Sequence, residues 1–454
     1  MNLHSKKVLV VGFGKTGFSA ARFLLARGAR VTLTDIQKKV DVPAEFVEQG
    51  VSVEAGGHRI ETFINQDLIV MSPGVSIHMR PVIEAQSRGI EVISEVELAY
   101  RFLKAPLIAV TGTNGKTTTT ALIGHMFETA GRSVFVGGNI GTPLIDFALE
   151  GREPEYVISE ISSFQLESIK EFRPHISVLL NVTEDHLDRH PSFNEYLQAK
   201  SRIFMNQKKS DFAVLNFDDL QVRGLGARMQ AETFFFSSQK AFEQGAYYDG
   251  EYHFARGDET LAFSAREAAL TGAHNRENML AAGAVGFLCG LPADSIRRAL
   301  VTFVSLPHRM EFVDEVQGVR FYNDSKGTNV GACLRSLESL DPPLILIAGG
   351  KDKGGSYLPL QDVLHRKAKA LIVLGEAKQR IADELGDAVT TILADTLDQA
   401  VEAAFARAEP GDSVLLSPAC SSFDMFQSYA HRGECYKNLV KKIKEKTDAC
   451  TTKA

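Results

Sequence analysis

The sequence predicts an α/β protein of three domains: an N-terminal Rossmann-like domain over residues 1–95, a central P-loop-type mononucleotide-binding α/β domain over 96–305, and a C-terminal Rossmann-like α/β domain over 306–454. Three observations predict it. Two short apolar runs, Val8–Val11 and Leu107–Val110, each lead into a glycine turn and then into apolar residues at helical spacing. Beyond residue 305, strand-like and helix-like segments alternate, as in an open, mainly parallel sheet. The 454 residues allow two or three domains at about 150 residues each.

The first run continues as Gly12-Phe13-Gly14-Lys15-Thr16-Gly17, a helix through Phe23 and Leu24, and a second strand, Val31–Thr34, that ends at Asp35. This is a βαβ opening with the dinucleotide fingerprint. Its glycines let the backbone approach a pyrophosphate, and the acidic residue stands where a ribose-binding carboxylate belongs. On these residues alone two readings stand: an NAD site, or glycines that only pack helix on strand. Asp67–Met71 reads as another strand, ending in the turn Ser72-Pro73-Gly74.

The second run continues as Thr111-Gly112-Thr113-Asn114-Gly115-Lys116-Thr117-Thr118, followed by Leu122, Ile123, Met126, Phe127 and Ala130 at helical spacing. Gly112 and Gly115 let backbone N–H groups converge on an anion, and the helix start adds partial positive charge. Lys116 suits the terminal phosphates and the Thr117 hydroxyl suits Mg²⁺. Val110 stands where the usual pattern has its first glycine. The plain alternative is a βα turn with a stray lysine.

Further strands in the central domain are Tyr156–Glu160, His175–Asn181 and Asp211–Asn216, and the second leads into Asn181-Val-Thr-Glu-Asp185-His186-Leu-Asp188. The residues that follow parallel strands share one sheet edge, so Lys116, Glu160 and His186 are expected to gather there. Lys200 lies in a polar helix, Tyr196–Arg202, and by residue type reads as a solvated lysine. The aromatic stretch 232–263 suggests hairpin strands at a sheet edge. Thr271-Gly-Ala-His274-Asn275-Arg-Glu-Asn278 precedes an Ala-rich helix, and its amides either cap that helix or read a base edge.

The third domain opens at Leu306-Pro-His308-Arg309-Met-Glu311. Its strands are Leu344–Ala348, Ala370–Leu374, Thr390–Leu393 and Ser413–Leu416, with a helix over Thr396–Ala408. Polar loops follow the strands: Gly349-Gly-Lys351-Asp-Lys353-Gly, and Ser417-Pro-Ala-Cys-Ser421-Ser422-Phe423-Asp424. Lys441–Ala454 is lysine-rich, shows no apolar face, and reads as a frayed helix and solvated tail.

Composition narrows the function classes. A hydrophobic fraction of 44% and a charged fraction of 23% are ordinary for a globular chain. A net charge of −6 gives no reason to expect nucleic acid or an anionic membrane as partner. No apolar run reaches the roughly 18 residues of a membrane span. The run after Lys6-Lys7 stops at Gly12, too short for a signal peptide. The five cysteines are scattered and odd in number, which fits reduced thiols in the cytoplasm.

Taken together, the motifs resemble the Mur ligase family of cell-wall synthesis. The stretch 111–118 looks like its phosphate loop. Glu160 with Ser162-Ser163, Asn181-x-x-x-Asp185-His186-x-Asp188, Gly272-x-His274-Asn275-x-x-Asn278, His308-Arg309-x-Glu311 and Asp324-Ser-Lys326-Gly327-Thr-Asn329 look like its successive motifs, in the family's order. The short first domain, together with Ser417-Pro-Ala-Cys-x-Ser422-x-Asp424-x-Phe426 and Arg432-Gly433, is nearest the members that add D-glutamate. Gly327 stands where alanine is common, a departure expected to be mild, and Tyr429 stands where phenylalanine is expected.

The resemblance implies an ATP-dependent ligase that activates the carboxylate of UDP-N-acetylmuramoyl-L-alanine as an acyl phosphate and couples it to D-glutamate. It implies a cytoplasmic monomer acting on small molecules, with closure of the domains around ATP during turnover. For ATP it implies Gly112, Thr113, Asn114, Gly115, Lys116, Thr117, Thr118, Asn275 (adenine), Arg309 and Asp324. For the UDP-substrate it implies Gly14, Thr16, Asp35, Gly74, Asn139 and His186, so that the N-terminal glycine turn holds UDP rather than NAD. For D-glutamate it implies Lys326, Lys353, Ser422, Phe423 and Tyr429. Two Mg²⁺ ions are implied, one at Thr117 and Glu160, the other at His186 and a carbamylated Lys200, with Lys116, Glu160, His186 and Lys200 as the catalytic set. The competing readings are a sibling or folylpolyglutamate-type ligase, an NAD-dependent dehydrogenase built on Gly12–Asp35, and a non-catalytic nucleotide-binding module. The dehydrogenase leaves Lys116, Glu160 and His186 without a role.

Overall fold

The computed structural model describes residues 1–186, 189–264, 268–270 and 272–451. Asp188 and Thr271 of the motifs above, and the end of the tail, lie outside them. The described residues form three α/β sheets. The first contains β1 (Lys7–Val11), β2 (Arg30–Asp35), β3 (Ser52–Ala55), β4 (Leu68–Met71) and β5 (Glu91–Ser94), all parallel, in the order β3-β2-β1-β4-β5. The strands either side of β1 diverge from it in chain order, so a crevice opens at its carboxyl end.

The second sheet contains β6 (Leu107–Thr111), β7 (Val134–Gly138), β8 (Tyr156–Glu160), β9 (Ile176–Leu179), β10 (Phe212–Asn216), β11 (Glu232–Ser237), β12 (Gly245–Tyr248), β13 (Glu251–Arg256) and β14 (Glu259–Ser264). Their order is β14-β13-β12-β11-β10-β9-β6-β8-β7. β12 to β14 pair antiparallel at the edge, where the aromatic stretch predicts hairpins. β6 lies between β9 and β8, which places its carboxyl end at the switch point. The third sheet contains β15 (Glu311–Val316), β16 (Val319–Asn323), β17 (Leu344–Gly349), β18 (Ala368–Leu374), β19 (Thr391–Leu393) and β20 (Ser413–Leu416), in the order β15-β16-β20-β17-β18-β19. Strands such as β6 and β17 are buried on both faces, so they read as unbroken apolar runs rather than as alternation.

The described residues divide into two compact units. The first comprises Met1–Val182, Asn194–Ala269 and Asn275–Phe303 and holds the first two sheets. The second comprises Thr183–Phe193, Leu270–His274 and Val304–Ala454 and holds the third. The segment carrying Asp185 and His186 therefore packs with C-terminal residues.

Within the first unit, the helix Glu95–Tyr100 clips the two sheets together. The fully buried Glu97 accepts the backbone N–H groups of Lys170, Glu171 and Phe172 at 2.9–3.1 Å and the Arg101 Nε at 2.8 Å. Glu95 accepts the N–H of Ile145 at 2.8 Å. Ser19 and Arg22 reach Asp146 at 2.8 and 2.7 Å.

The C-terminal lysine-rich stretch departs from expectation. The helix runs over Tyr429–Thr451, and Tyr436, Val440 and Ile443 pack into the third sheet's core. Their spacing places them on one face, which continues into the lysine-rich stretch through Ile443. Among the described residues no helix is long and apolar enough to cross a membrane, and Cys289, Cys333, Cys420 and Cys435 are free thiols.

Burial raises the Glu95 carboxyl to about 7 from 4.5, with the Asp146 charge adding to it and the Ile145 N–H opposing it. The folded state thus holds a proton that the unfolded state has lost between those values, so stability falls as pH rises through this window. Glu95→Gln keeps an acceptor for Ile145 and has no proton to lose. In denaturant titrations the wild type is expected to lose about 1.4 kcal/mol per pH unit relative to Glu95→Gln between about 4.5 and 7. Parallel pH profiles of the two proteins would contradict this.

Candidate active site

At the carboxyl end of the first sheet, Gly12 adopts φ +84° and Gly17 lies so close that a Cβ there would sit 2.0 Å from the Gly12 oxygen. Only a residue without a side chain lets the helix Lys15–Ala26 approach the turn. Gly14 precedes that helix and Thr16 lies in its first turn. Asp35 accepts the Phe13 N–H at 2.7 Å and the Gln37 N–H at 2.9 Å, and Ser72 donates to the Gly12 oxygen at 2.7 Å. These bonds bring Gly14, Thr16, Asp35 and the 72–74 turn to one edge.

The phosphate loop follows β6. Gly112 and Gly115 adopt φ +151° and +87°. The loop is tied to the end of β9: Thr113 N–H donates to the Asn181 backbone oxygen at 2.8 Å, Asn114 N–H to Asn181 Oδ1 at 2.8 Å, and Asn181 Nδ2 back to the Asn114 oxygen at 3.1 Å. Lys116 heads the helix Lys116–Thr129, with Thr117 and Thr118 in its first turn, and its Nζ donates to the Gly112 and Thr113 oxygens at 2.9 and 2.8 Å. Lys200 Nζ donates to the same Gly112 oxygen at 2.8 Å and lies 4.5 Å from the Tyr196 ring centre. Lys200 is 1% exposed, which overturns its reading as a solvated lysine. Tyr196, Ala199 and Lys200 form the buried face of the helix Phe193–Ser201, and that face closes over the loop.

Glu160 ends β8 opposite Val110. Asn139 Nδ2 donates to its Oε1 at 2.9 Å, while Oε2 is buried without a hydrogen-bond partner. A buried carboxylate oxygen left in this way fits a cation. Among the described residues there is no group of three or more His, Cys, Asp or Glu side chains able to hold a metal. A cation at Glu160 would draw its remaining ligands from hydroxyl, phosphate and water oxygens, the oxygen set that Mg²⁺ prefers. The amides of 275–278 lie inside the helix Ala273–Leu288, which removes the capping alternative. Asn275 Oδ1 accepts from Asn278 Nδ2 at 3.4 Å, and Asn278 Oδ1 accepts from Thr119 Oγ1 at 3.3 Å. Asn278 thereby links the candidate base reader to the phosphate-loop helix, a role its motif position alone did not reveal.

In the second unit, the buried Asp185 accepts Lys353 Nζ at 3.1 Å and Asn329 Nδ2 at 2.9 Å. Burial pushes its carboxyl up, but Lys353, His186 and Asn329 together hold it below the usual range. His186, at φ +56°, is next to it. These residues and Tyr357 line a small pocket. Lys326 Nζ lies 3.8 Å from the Tyr429 ring centre. Ser422 is buried and Phe423 is 70% exposed.

Arg432, quoted above only as part of a motif, organises these loops. It donates to Ser325 Oγ and O at 3.0 and 2.9 Å and to the Cys420 and Ser421 oxygens, and burial pushes its guanidinium down to about 10. Asp324 turns inward, accepting Ser336 and Ser417 hydroxyls at 2.7 Å each, and burial raises it to about 6. Arg309 bears electrostatically on Asp324 and on His274, which burial first and the arginines second lower to about 4. A Cβ at Gly327 would sit 2.4 Å from Asp324 Oδ2 and 2.7 Å from Ser417 Oγ. Glycine here is therefore not a mild exchange: alanine would force the buried carboxylate to shift.

A Cβ at Gly115 would meet Asn278 Oδ1 at 2.3 Å. Gly115→Ala is expected to weaken nucleoside triphosphate binding by about tenfold or more, since it strains the loop and displaces Asn278. Gly131→Ala, also at positive φ but with open space around it, should cost stability alone. Calorimetric titration checks both, and unchanged affinity in Gly115→Ala would contradict the geometry.

Residues 6–94 match the Mur ligase MurD-like N-terminal domain, 110–286 the Mur ligase middle domain, and 308–420 the Mur ligase glutamate ligase domain. The chain is 49% identical over 448 residues to the UDP-N-acetylmuramoylalanine–D-glutamate ligase of Geotalea uraniireducens (strain Rf4), covering 98% of this chain and 99% of that one. It is 47% identical to the ligase of the same name from Acidobacterium capsulatum, covering 97% of each. Its fold is similar to a pseudomurein peptide ligase type C from Methanothermus fervidus (TM-score 0.62, 20% identity, 97% of this chain and 100% of that). It is also similar to MurF ligase from Thermotoga maritima in complex with ADP (TM-score 0.62, 19% identity, 98% of this chain and 96% of that). With three family domains in order and near-half identity along almost its whole length, the chain belongs to the Mur ligase family.

Proposed function

We infer that the chain is an ATP-dependent ligase that joins D-glutamate to UDP-N-acetylmuramoyl-L-alanine in peptidoglycan precursor synthesis, acting as a cytoplasmic monomer. The names and near-full-length identity of its relatives support the substrate pair. The observation that carries the chemistry is the placement of the Lys116 and Lys200 side chains on one carbonyl of the phosphate loop.

A carboxylate is a poor electrophile and must first be activated. One oxygen of the L-alanine carboxylate attacks the γ-phosphorus of ATP, forming a C–O–P linkage while the bond to the β-phosphate oxygen breaks and ADP leaves. Two anions meet in this step, so fixed positive charge is required. Lys116 supplies it at the terminal phosphates. The neutral amine of D-glutamate then attacks the acyl carbon. A C–N bond forms through a tetrahedral intermediate, the acyl C–O bond to the phosphate group breaks, and phosphate leaves with the electron pair and takes up the proton that the amine gives up.

Thr117 and Glu160 would hold one Mg²⁺, and His186 with carbamylated Lys200 a second; bound there, Mg²⁺ supplies charge neutralisation on the phosphates. A carbamate on Lys200 keeps one N–H for the Gly112 oxygen and offers the cation an oxygen ligand. Asn275 reads adenine, with Arg309 and Asp324 toward the phosphates and ribose. Gly14, Thr16, Asp35 and Gly74 hold the UDP end, with Asn139 and His186 further along that substrate. Lys326, Lys353 and Ser422 receive the carboxylates of D-glutamate, beside Phe423 and Tyr429.

Phosphate release from ATP with UDP-N-acetylmuramoyl-L-alanine is expected to require D-glutamate and to match amide formed. Equal turnover of L-glutamate would overturn the substrate assignment. Lys116→Ala should lose 10²-fold or more in kcat, the usual cost of an electrostatic transition-state contact, and retention of a tenth would contradict its role. Lys200→Ala should lose most activity and regain part of it with acetate, which fills the vacated oxygen-ligand position. Lys200→Arg should not be rescued, because the guanidinium still occupies the space. A near-wild-type Lys200→Ala would end the carbamate role.

A further inference from the structure

Lys353 has an unusual setting for a residue that must hold a substrate carboxylate in place. It lies in neither helix nor strand, and two glycines follow it. Such a loop would let a long side chain wander. The structure shows what fixes it.

Asp352 accepts the Gly354 N–H at 2.9 Å and the Tyr357 hydroxyl at 3.1 Å through Oδ1, and Arg380 Nη1 at 2.7 Å through Oδ2. Arg380 Nη2 donates to the Gly355 oxygen at 2.7 Å. Its Nε donates to Glu384 Oε1 at 3.0 Å, and Glu384 Oε2 accepts the Tyr357 N–H at 2.7 Å. The buried Tyr357 packs its ring under the Arg380 guanidinium, with ring centre and Cζ 5.4 Å apart. Arg380 and Glu384 each place at least one polar group on the 352–357 loop and bond to each other on the helix. The anchors, Arg380 and Glu384, stand on the helix Lys378–Leu385, one turn apart.

We propose that Arg380, acting through Asp352 and Tyr357, is a positioning residue for Lys353 and thereby sets the affinity for the amino-acid substrate. The proposal rests on the D-glutamate reading above. Arg380 touches no substrate. It removes the loop's freedom, so that the Lys353 ammonium stays in the cavity beside Asp185 and the ordering cost is not charged to each binding event. A guanidinium is required because three acceptors in different directions must be met at once, which an ammonium on a flexible stem does poorly.

A double-mutant cycle tests it on the full chain, with KM measured for all three substrates. Arg380→Ala is expected to raise KM for D-glutamate about tenfold or more, with kcat at saturation held within about threefold and KM for ATP and UDP-N-acetylmuramoyl-L-alanine within about twofold. In a Lys353→Ala background the same substitution should add almost nothing, because residues that act as a unit are not additive. Lys378→Ala, on the same helix but in an exposed ion pair with Asp395, should leave KM for D-glutamate unchanged. If Arg380→Ala does not fold, Asp352→Asn replaces it. The amide keeps an oxygen for Gly354 and Tyr357 but presents N–H to Arg380, and the same pattern is expected. A uniform rise in all three KM values, or full additivity with Lys353→Ala, would overturn the proposal. If the wild type uses another amino acid in place of D-glutamate, the substrate reading fails, and the same cycle run on that amino acid decides the clamp by the same outcomes.

Discussion

One carbonyl group governs the catalytic half of this protein. The Gly112 oxygen accepts from both Lys116 and Lys200. That oxygen draws both side chains onto the loop, where Lys116 is the cation proposed for the terminal phosphates and Lys200 the carbamate proposed as a metal ligand. The carbonyl is available because Gly112 adopts φ +151°, and the loop is fixed because Asn181 ties it to β9 and Asn278 closes against Gly115. Replacing any of these would release the backbone before it removed a charge.

The third sheet solves a different problem with the same economy. Its order places β16, β20 and β17 side by side, so the three polar loops that follow them emerge together. Asp324 follows β16, Ser417 follows β20, and the Lys351–Lys353 loop follows β17. Buried charges would be costly here if they were unpaired. Instead Asp324 is met by two serines, Arg432 by four oxygens, and Asp185 by Lys353 and Asn329. The networks hold irregular backbone in fixed positions, which a binding loop needs and a glycine-rich sequence cannot provide alone.

What was legible in the sequence follows from this physics. Strands buried on both faces, such as β6, β8, β17 and β20, announce themselves as apolar runs, and the glycine turns after β1 and β6 mark the two candidate ligand edges. β3 is short and largely exposed and β19 is short and partly exposed, which leaves a weak pattern or imprecise ends. Lys200 misleads because residue type favours solvent. The signal against that reading is its position one and four residues from Ala199 and Tyr196, on the face that is buried. Asn181 and Asn278 act across 67 and 159 positions of sequence, a separation that no local pattern carries. Gly327 looks interchangeable with alanine until the buried Asp324 is seen beside it.

The central claim is that the Lys116 loop lets a carboxylate attack the γ-phosphate. Isotope transfer tests it most directly. UDP-N-acetylmuramoyl-L-alanine labelled with ¹⁸O in both alanine carboxylate oxygens is turned over with ATP and D-glutamate, and the released phosphate is analysed by mass. The account predicts one labelled oxygen in each phosphate released, with the other retained in the new amide. Unlabelled phosphate, or label carried into AMP, would contradict it.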